Sequence, residues 1–104
     1  MIHKHKFNAV RCERDGQKFD SKLEARYYDN LKFLQKAGSV IFFLRQIPFH
    51  LPGNIKYLAD FQIFHADGTV SFVDCKGVDT PVSSLKRKQV EQLYPVKIEL
   101  ITKA

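Results

Sequence analysis

Tryptophan is absent from this 104-residue chain, cysteine occurs only twice and methionine once. Cys12 and Cys75 are too few for a disulfide scaffold and have no metal-pair spacing, so two reduced thiols are expected. No apolar run approaches the roughly 20 residues that cross a bilayer. The opening residues Met1-Ile2-His3-Lys4-His5-Lys6 lack the apolar stretch of a signal peptide. A soluble, cytoplasmic protein with no membrane partner is therefore expected. Internal repeats, low-complexity tracts and linkers are missing too, which predicts a single domain over residues 1–104 with residues 1–8 as a flexible basic arm.

What the chain does have is 44% hydrophobic residues, including nine Phe, enough for one modest core and too little for two. Seventeen Lys and Arg against eleven Asp and Glu give a formal charge of +6. That surplus suits a polyanionic partner, because neutralising phosphates releases condensed counterions. The same surplus also serves plain solubility, so motifs must decide between them.

Val10 to Phe19, centred on Asp15-Gly16, reads as a small hairpin. From Ser21 to Ala37 the residues Leu23, Tyr27, Leu31 and Leu34 recur at helical spacing, and Gly38 supplies the stop. Val40 to Leu44 is unbroken apolar sequence, expected as a strand buried on both faces, with Arg45, Gln46 and Pro48 marking its exit. Pro52-Gly53-Asn54 is a loop. Two further strands, Tyr57–Phe64 and Val70–Gly77, flank a short turn. Thr80-Pro81 then begins a helix to Leu93 with Val82, Leu85 and Leu93 on its apolar side, and Val96 to Ile101 alternates as a last strand. The order is α-β-β-β-α-β, an α/β fold with a mixed central sheet flanked by helices.

The paired strands place Asp60 on one and Asp74-Cys75-Lys76 on the other. Side chains alternate along a strand, so Asp74 and Lys76 share a face and Cys75 takes the opposite one. Asp60 joins them only in one register. If Asp67-Gly68 alone turns the chain, Asp60 faces Cys75 and the acids separate. If Ala66, Asp67 and Gly68 form a three-residue loop with Gly68 left-handed, Asp60 faces Asp74. That second register sets Leu58, Gln62, Phe64, Val70 and Phe72 on the acid face and Ala59, Phe61, Ile63, Val73 and Cys75 on the other, both needing cover. Two facing acids on such a sheet are costly unless a cation lies between them or solvent reaches them. Hard cations such as Mg²⁺ bind carboxylate oxygens and lower the pKa of a bound water, which is what phosphodiester hydrolysis requires. A neighbouring lysine stabilises the developing charge or orients the water.

At these residues the chain resembles the PD-(D/E)xK nuclease superfamily, and within it short junction-resolvase-like phage endonucleases and the end-cleaving endonuclease subunits of transposons. The matching segments are Phe19-Asp-Ser21-Lys-Leu-Glu24, Ala59-Asp60-Phe61 and Asp74-Cys-Lys76-Gly77, and the resemblance spans about residues 17–101. It implies a restriction-endonuclease-like fold and a Mg²⁺-dependent DNA endonuclease, with Mn²⁺ as a substitute. It also implies that Asp60, Asp74, the Cys75 backbone carbonyl and Glu24 serve the metal, and that Lys76 assists the water. Branched DNA is the implied substrate. Other phage or transposon DNA-processing proteins are the implied partners, and cleaving both strands favours a homodimer with two sites. Ala59 stands where the superfamily has proline.

Each residue also has a plainer reading. Ser21-x-x-Glu24 is a capping box in its own right, and both roles can hold. Asp60 can be a solvated acid with Lys76 its ion-pair partner. Asp20-Ser21-Lys22 matches acid-x-Lys equally well and arises from a helix start. Gln46 and Gln62 are candidates to line the site, with an ordinary edge-strand role for Gln46 as the alternative. His50 and His65 read as surface residues. On the second helix Lys86 is expected beside the apolar stripe, with Arg87 and Lys88 pointing outward to a DNA backbone, or simply solvated; Lys22 and Arg26, along with Lys32, add charge on the first helix. Two other readings are open: a noncatalytic nucleic-acid-binding or assembly module, and a subunit active only with a partner protein.

Overall fold

The computed structural model describes residues 12–104. The basic arm and the first residues of the Val10–Phe19 hairpin lie outside the described residues. The rest of that hairpin is present as β1 (Cys12–Arg14) and β2 (Gln17–Phe19), paired antiparallel. Asp15 and Gly16 both take positive φ, 52° and 76°, the two-residue turn whose twist suits a hairpin.

Helix α1 (Lys22–Ala37) starts where Ser21, in extended geometry, accepts the Glu24 N–H on its hydroxyl at 3.1 Å. It ends at Gly38, whose φ of 91° lets the Gly38 and Ser39 N–H groups return to the carbonyls of Gln35 and Leu34. Its inner line is Leu23, Glu24, Ala25, Tyr28 and Leu31; Leu34, expected on that line, is exposed. The helix is rolled so that Glu24 and Tyr28 face inward, and Tyr27 packs at the margin against Phe61.

Four strands form one sheet in the order β3-β4-β5-β6: β3 (Val40–Leu51), β4 (Ile55–His65), β5 (Val70–Cys75) and β6 (Ile98–Ile101). The first three pair antiparallel and β6 runs parallel to β5, reached through helix α2 (Pro81–Leu93). Parallel neighbours need such a crossover. The architecture is an α/β domain with a mixed four-stranded sheet and two helices, and among the described residues no helix is long and apolar enough to cross a membrane.

Two apolar clusters hold the layers together. Phe61, Ile63, Val73 and Cys75 pack under α1 with Leu23, Tyr28 and Leu31, joined by Phe43. Phe49, Leu51, Tyr57 and Ala59 pack with Val90 of α2 and Ile98, joined by Ile47 and Phe72. Odd-numbered residues of β3 and β4 thus serve both clusters. The changeover lies at Gln46, whose φ is 57°, and at Asp60 opposite it; the pairing runs Arg45↔Phe61, then Ile47↔Ala59, with that one position skipped. Ala59, expected on the same face as Phe61, is carried to the second cluster by this local twist.

Two burial expectations are corrected. Val40–Leu44 is not covered on both faces: it belongs to an edge strand that continues to Leu51, and Ile41, Phe42 and Leu44 are exposed. Val70 is likewise exposed on the acid face, and Leu58, expected beside it, is exposed on the other side of the twist. Helix α2 is capped by Thr80, which accepts the Ser83 N–H at 3.2 Å, but Val82, Leu85 and Leu93 face outward and only Val90 is buried. Arg87 occupies the inward side instead, drawn to Asp79 by two hydrogen bonds of 3.0 and 2.7 Å.

Candidate functional site

The turn between β4 and β5 decides whether the two acids meet. Gly68, at φ 91°, donates to the His65 carbonyl at 3.0 Å, and His65 donates to Thr69 at 2.9 Å. Asp67 locks the exit by accepting from the Thr69 N–H and hydroxyl. The loop is therefore Ala66-Asp67-Gly68, and the register Phe64↔Val70 through Phe61↔Val73 carries Asp60 opposite Asp74.

Beyond Phe61↔Val73 the strands exchange side-chain bonds in place of ladder bonds. Asp74 Oδ1 accepts the Asp60 N–H at 3.2 Å, and Asp60 Oδ2 accepts the Cys75 N–H at 2.8 Å. Asp74, with no exposed surface, also accepts the Tyr57 hydroxyl on Oδ2 and lies 3.4 Å from Lys76 Nζ. The Gln46 amide bridges Asp60 Oδ1 at 3.3 Å and Glu24 Oε2 at 3.1 Å. Arg45 completes the Glu24 side: its guanidinium lies over the Phe19 ring and donates to Glu24, Gln17 and the Lys18 carbonyl.

The Ser21 half of the capping box is present, while the Glu24 carboxylate turns to Arg45 and Gln46. Ser21 thus serves as the N-cap without the reciprocal Glu24 bond of a full capping box, which leaves the Glu24 carboxylate directed toward Gln46 and Asp60. Lys76 pairs with Asp74 rather than Asp60. Gln62 lies one same-face step from Asp60, between Leu44 and Phe72. Lys22, Arg26 and Lys88 are exposed and Lys86 half-buried. Arg87 does not point outward as expected; its side chain is 14% exposed and committed to Asp79. His65 meets Ser71 at 2.8 Å and His50 is exposed.

Electrostatics follow from this crowding. Burial, reinforced by the charge of Asp74 and then of Glu24, pushes the Asp60 carboxyl up to about 7 against the opposing Cys75 N–H bond. Burial likewise raises Glu24, with Arg45 opposing. Burial and the three surrounding acids push the Cys75 thiol up to about 12, which keeps it protonated and unreactive at neutral pH. Among the described residues, no group of three or more His, Cys, Asp or Glu side chains is disposed to hold a metal ion. The donors on hand are two adjacent carboxylates, those of Asp60 and Asp74, with Glu24 reached through the Gln46 amide.

Tyr57 and Arg45 were not legible as site residues. Arg45 carries a faint signal, a charge at the end of an apolar run that must find partners if buried. Tyr57 carries none, because its reach to Asp74 depends on the twist at Gln46 and Asp60.

A search of curated proteins returns no match. A protein-family model described as "Protein of unknown function (DUF1064)" matches residues 4–104, nearly the whole chain, and the chain belongs to that family.

Proposed function

We propose that this chain is a metal-dependent DNA endonuclease of the PD-(D/E)xK type, with a restriction-endonuclease-like arrangement of its α/β fold. The observation that supports it most is the Asp60–Asp74 pair: two desolvated, mutually repelling carboxylates that the hairpin register brings together beside Lys76. Such a pair gains from a cation, and Mg²⁺ asks for only one or two carboxylates with retained waters. The donor set therefore fits Mg²⁺ or Mn²⁺ held by Asp60, Asp74 and the Cys75 backbone carbonyl. When bound, the ion supplies charge neutralisation of the phosphate and a water of lowered pKa.

The chain's own residues do the rest. Gln46 and the Cys75 N–H fix both oxygens of Asp60. Arg45 and Gln46 hold Glu24 behind them, adding negative charge that favours a cation at the pair. Lys76, 3.4 Å from Asp74 with 30% of its side chain exposed, reaches both the acid and solvent, where it can orient a water or offset charge growing on the phosphate. Exposed Lys22, Arg26 and Lys88 are available for phosphate contacts that position DNA without reading bases. Branched DNA remains the substrate carried by the family resemblance, and a homodimer would provide one site per strand.

A second reading, a nuclease subunit that acts with a partner, is favoured by α2, whose Val82, Leu85 and Leu93 are more than half exposed. Incubating the protein with linear, flapped and four-way DNA, with Mg²⁺ and with chelator, tests the proposal. Mg²⁺-dependent cleavage of at least one substrate is expected. Absence of cleavage on all of them, alone and with DNA-processing partners, would remove it.

A further inference from the structure

Helix α2 is tied to the acid pair by a polar chain. Asp79, in the turn after Gly77, takes both ends of the Arg87 guanidinium at 3.0 and 2.7 Å. Arg87, 14% exposed, sits one turn before Val90 of α2, which packs in the same cluster as the Tyr57 ring, and its charge acts on the Tyr57 hydroxyl. Tyr57 is 5% exposed, its ring set in the cluster of Phe49, Ala59, Val90 and Ile98, and its hydroxyl donates to Asp74 Oδ2. Lys76 approaches that same oxygen. A wholly buried carboxylate is costly unless its oxygens are bonded, and the order of those bonds fixes which lone pairs are left for a cation.

We propose that Tyr57 is a positioning residue for Asp74, and that Asp79 and Arg87 act through Tyr57, so that α2 sets the orientation of the metal-binding carboxylate. This rests on the nuclease reading above. It assigns Arg87 to the interior of the site rather than to the DNA backbone, and it explains why the helix turns an arginine inward while three apolar residues face solvent. The Asp79–Arg87 fork is bidentate, a geometry that lysine cannot supply.

The test is Mn²⁺ titration of the full chain by calorimetry, with plasmid nicking in parallel, for Tyr57→Phe, Arg87→Met and the double variant. Tyr57→Phe keeps the ring and removes only the hydroxyl. It is expected to weaken Mn²⁺ binding about 10–100-fold, the usual cost of losing an outer partner of a metal ligand. Arg87→Met is expected to weaken it less, and the double variant no further than Tyr57→Phe alone, because the two act in series. Phe49→Leu, which loosens the same cluster without touching a hydroxyl, is expected to leave Mn²⁺ affinity unchanged. Wild-type affinity in Tyr57→Phe, or an equal loss in Phe49→Leu, overturns the proposal. So does an Arg87→Met variant that binds Mn²⁺ normally but nicks with a raised KM and a shallower salt dependence, which would make Arg87 a phosphate contact. If Tyr57→Phe fails to fold, Arg87→Met decides by the same readouts. Wild-type protein that binds no Mn²⁺ refutes the nuclease reading and this inference with it, whereas Mn²⁺ binding that Tyr57→Phe leaves intact refutes the inference alone.

Discussion

The two helices are attached to the sheet by different means. Helix α1 buries Leu23, Ala25, Tyr28 and Leu31 against Phe61, Ile63 and Val73, and is capped at both ends by hydrogen bonds from its own sequence. Helix α2 buries only Val90 and is held by polar links: Arg87 to Asp79, the Ile98 N–H to Glu91 at 2.8 Å, and the following Tyr94 hydroxyl to the His50 carbonyl at 2.8 Å. Apolar area supplies most of the driving force for packing, whereas a net hydrogen bond contributes about 1 kcal/mol. The α1 side is therefore the stable half, and the α2 side is the half whose geometry is specified by polar partners. The acid pair lies where they join, with Glu24 brought from α1 and Tyr57 supported from α2.

The difference can be broken most forcefully in the α1 cluster. Phe61→Ala, at a residue with no exposed surface, is expected to cost about 3–5 kcal/mol in denaturant unfolding, whereas Val90→Ala on the other side is expected to cost about 2 kcal/mol or less. Equal losses would mean that the halves are equally packed.

The pH dependence of stability sharpens the comparison at the junction. Because the folded state holds the Asp60 carboxyl at about 7, above its unfolded value, the folded protein binds more protons between pH 4 and pH 7. Asp60 therefore contributes stability that is full below the unfolded pKa and is lost as pH rises to about 7. The loss is at most about 1.4 kcal/mol per pH unit. Thermal melts in chelator should show wild type falling relative to Asp60→Asn over that window, and the gap should close when Mn²⁺ is added at pH 7.5. Parallel pH profiles would contradict it. The smallest effect is expected on the outer face of α2. Leu85→Gln should change stability by no more than about 0.5 kcal/mol, because Leu85 is 59% exposed. A larger loss at high protein concentration alone would reveal a covered face.

Much of the candidate site's geometry was legible because local chemistry agreed with global geometry. Gly68 in an odd-length loop fixed the register that sets Asp60 against Asp74, and the Ser21-x-x-Glu24 spacing located the start of α1. The two helices and the mixed α/β sheet were legible from the Leu23–Leu31 spacing and Gly38 stop of α1, the Thr80-Pro81 start of α2 and the strand-like runs between and after them. What periodicity missed were the places where a polar partner outweighed it. Arg87 turned inward for Asp79 and took the apolar stripe of α2 outward with it; Glu24 turned inward for Arg45 and Gln46 and moved Leu34 into solvent. The left-handed backbone at Gln46 sent residues of one parity to two different clusters, which no alternation rule foresees in a glutamine. Tyr57 reached Asp74 only as a result of that twist.

Calorimetric Mn²⁺ titration with plasmid nicking, on wild type and Asp74→Asn, tests the central claim most directly, because asparagine keeps the shape of the buried side chain and removes its charge. Metal-dependent nicking by wild type, abolished by chelator and lost together with Mn²⁺ binding in Asp74→Asn, is the predicted result. Undiminished Mn²⁺ binding and nicking in Asp74→Asn would contradict it.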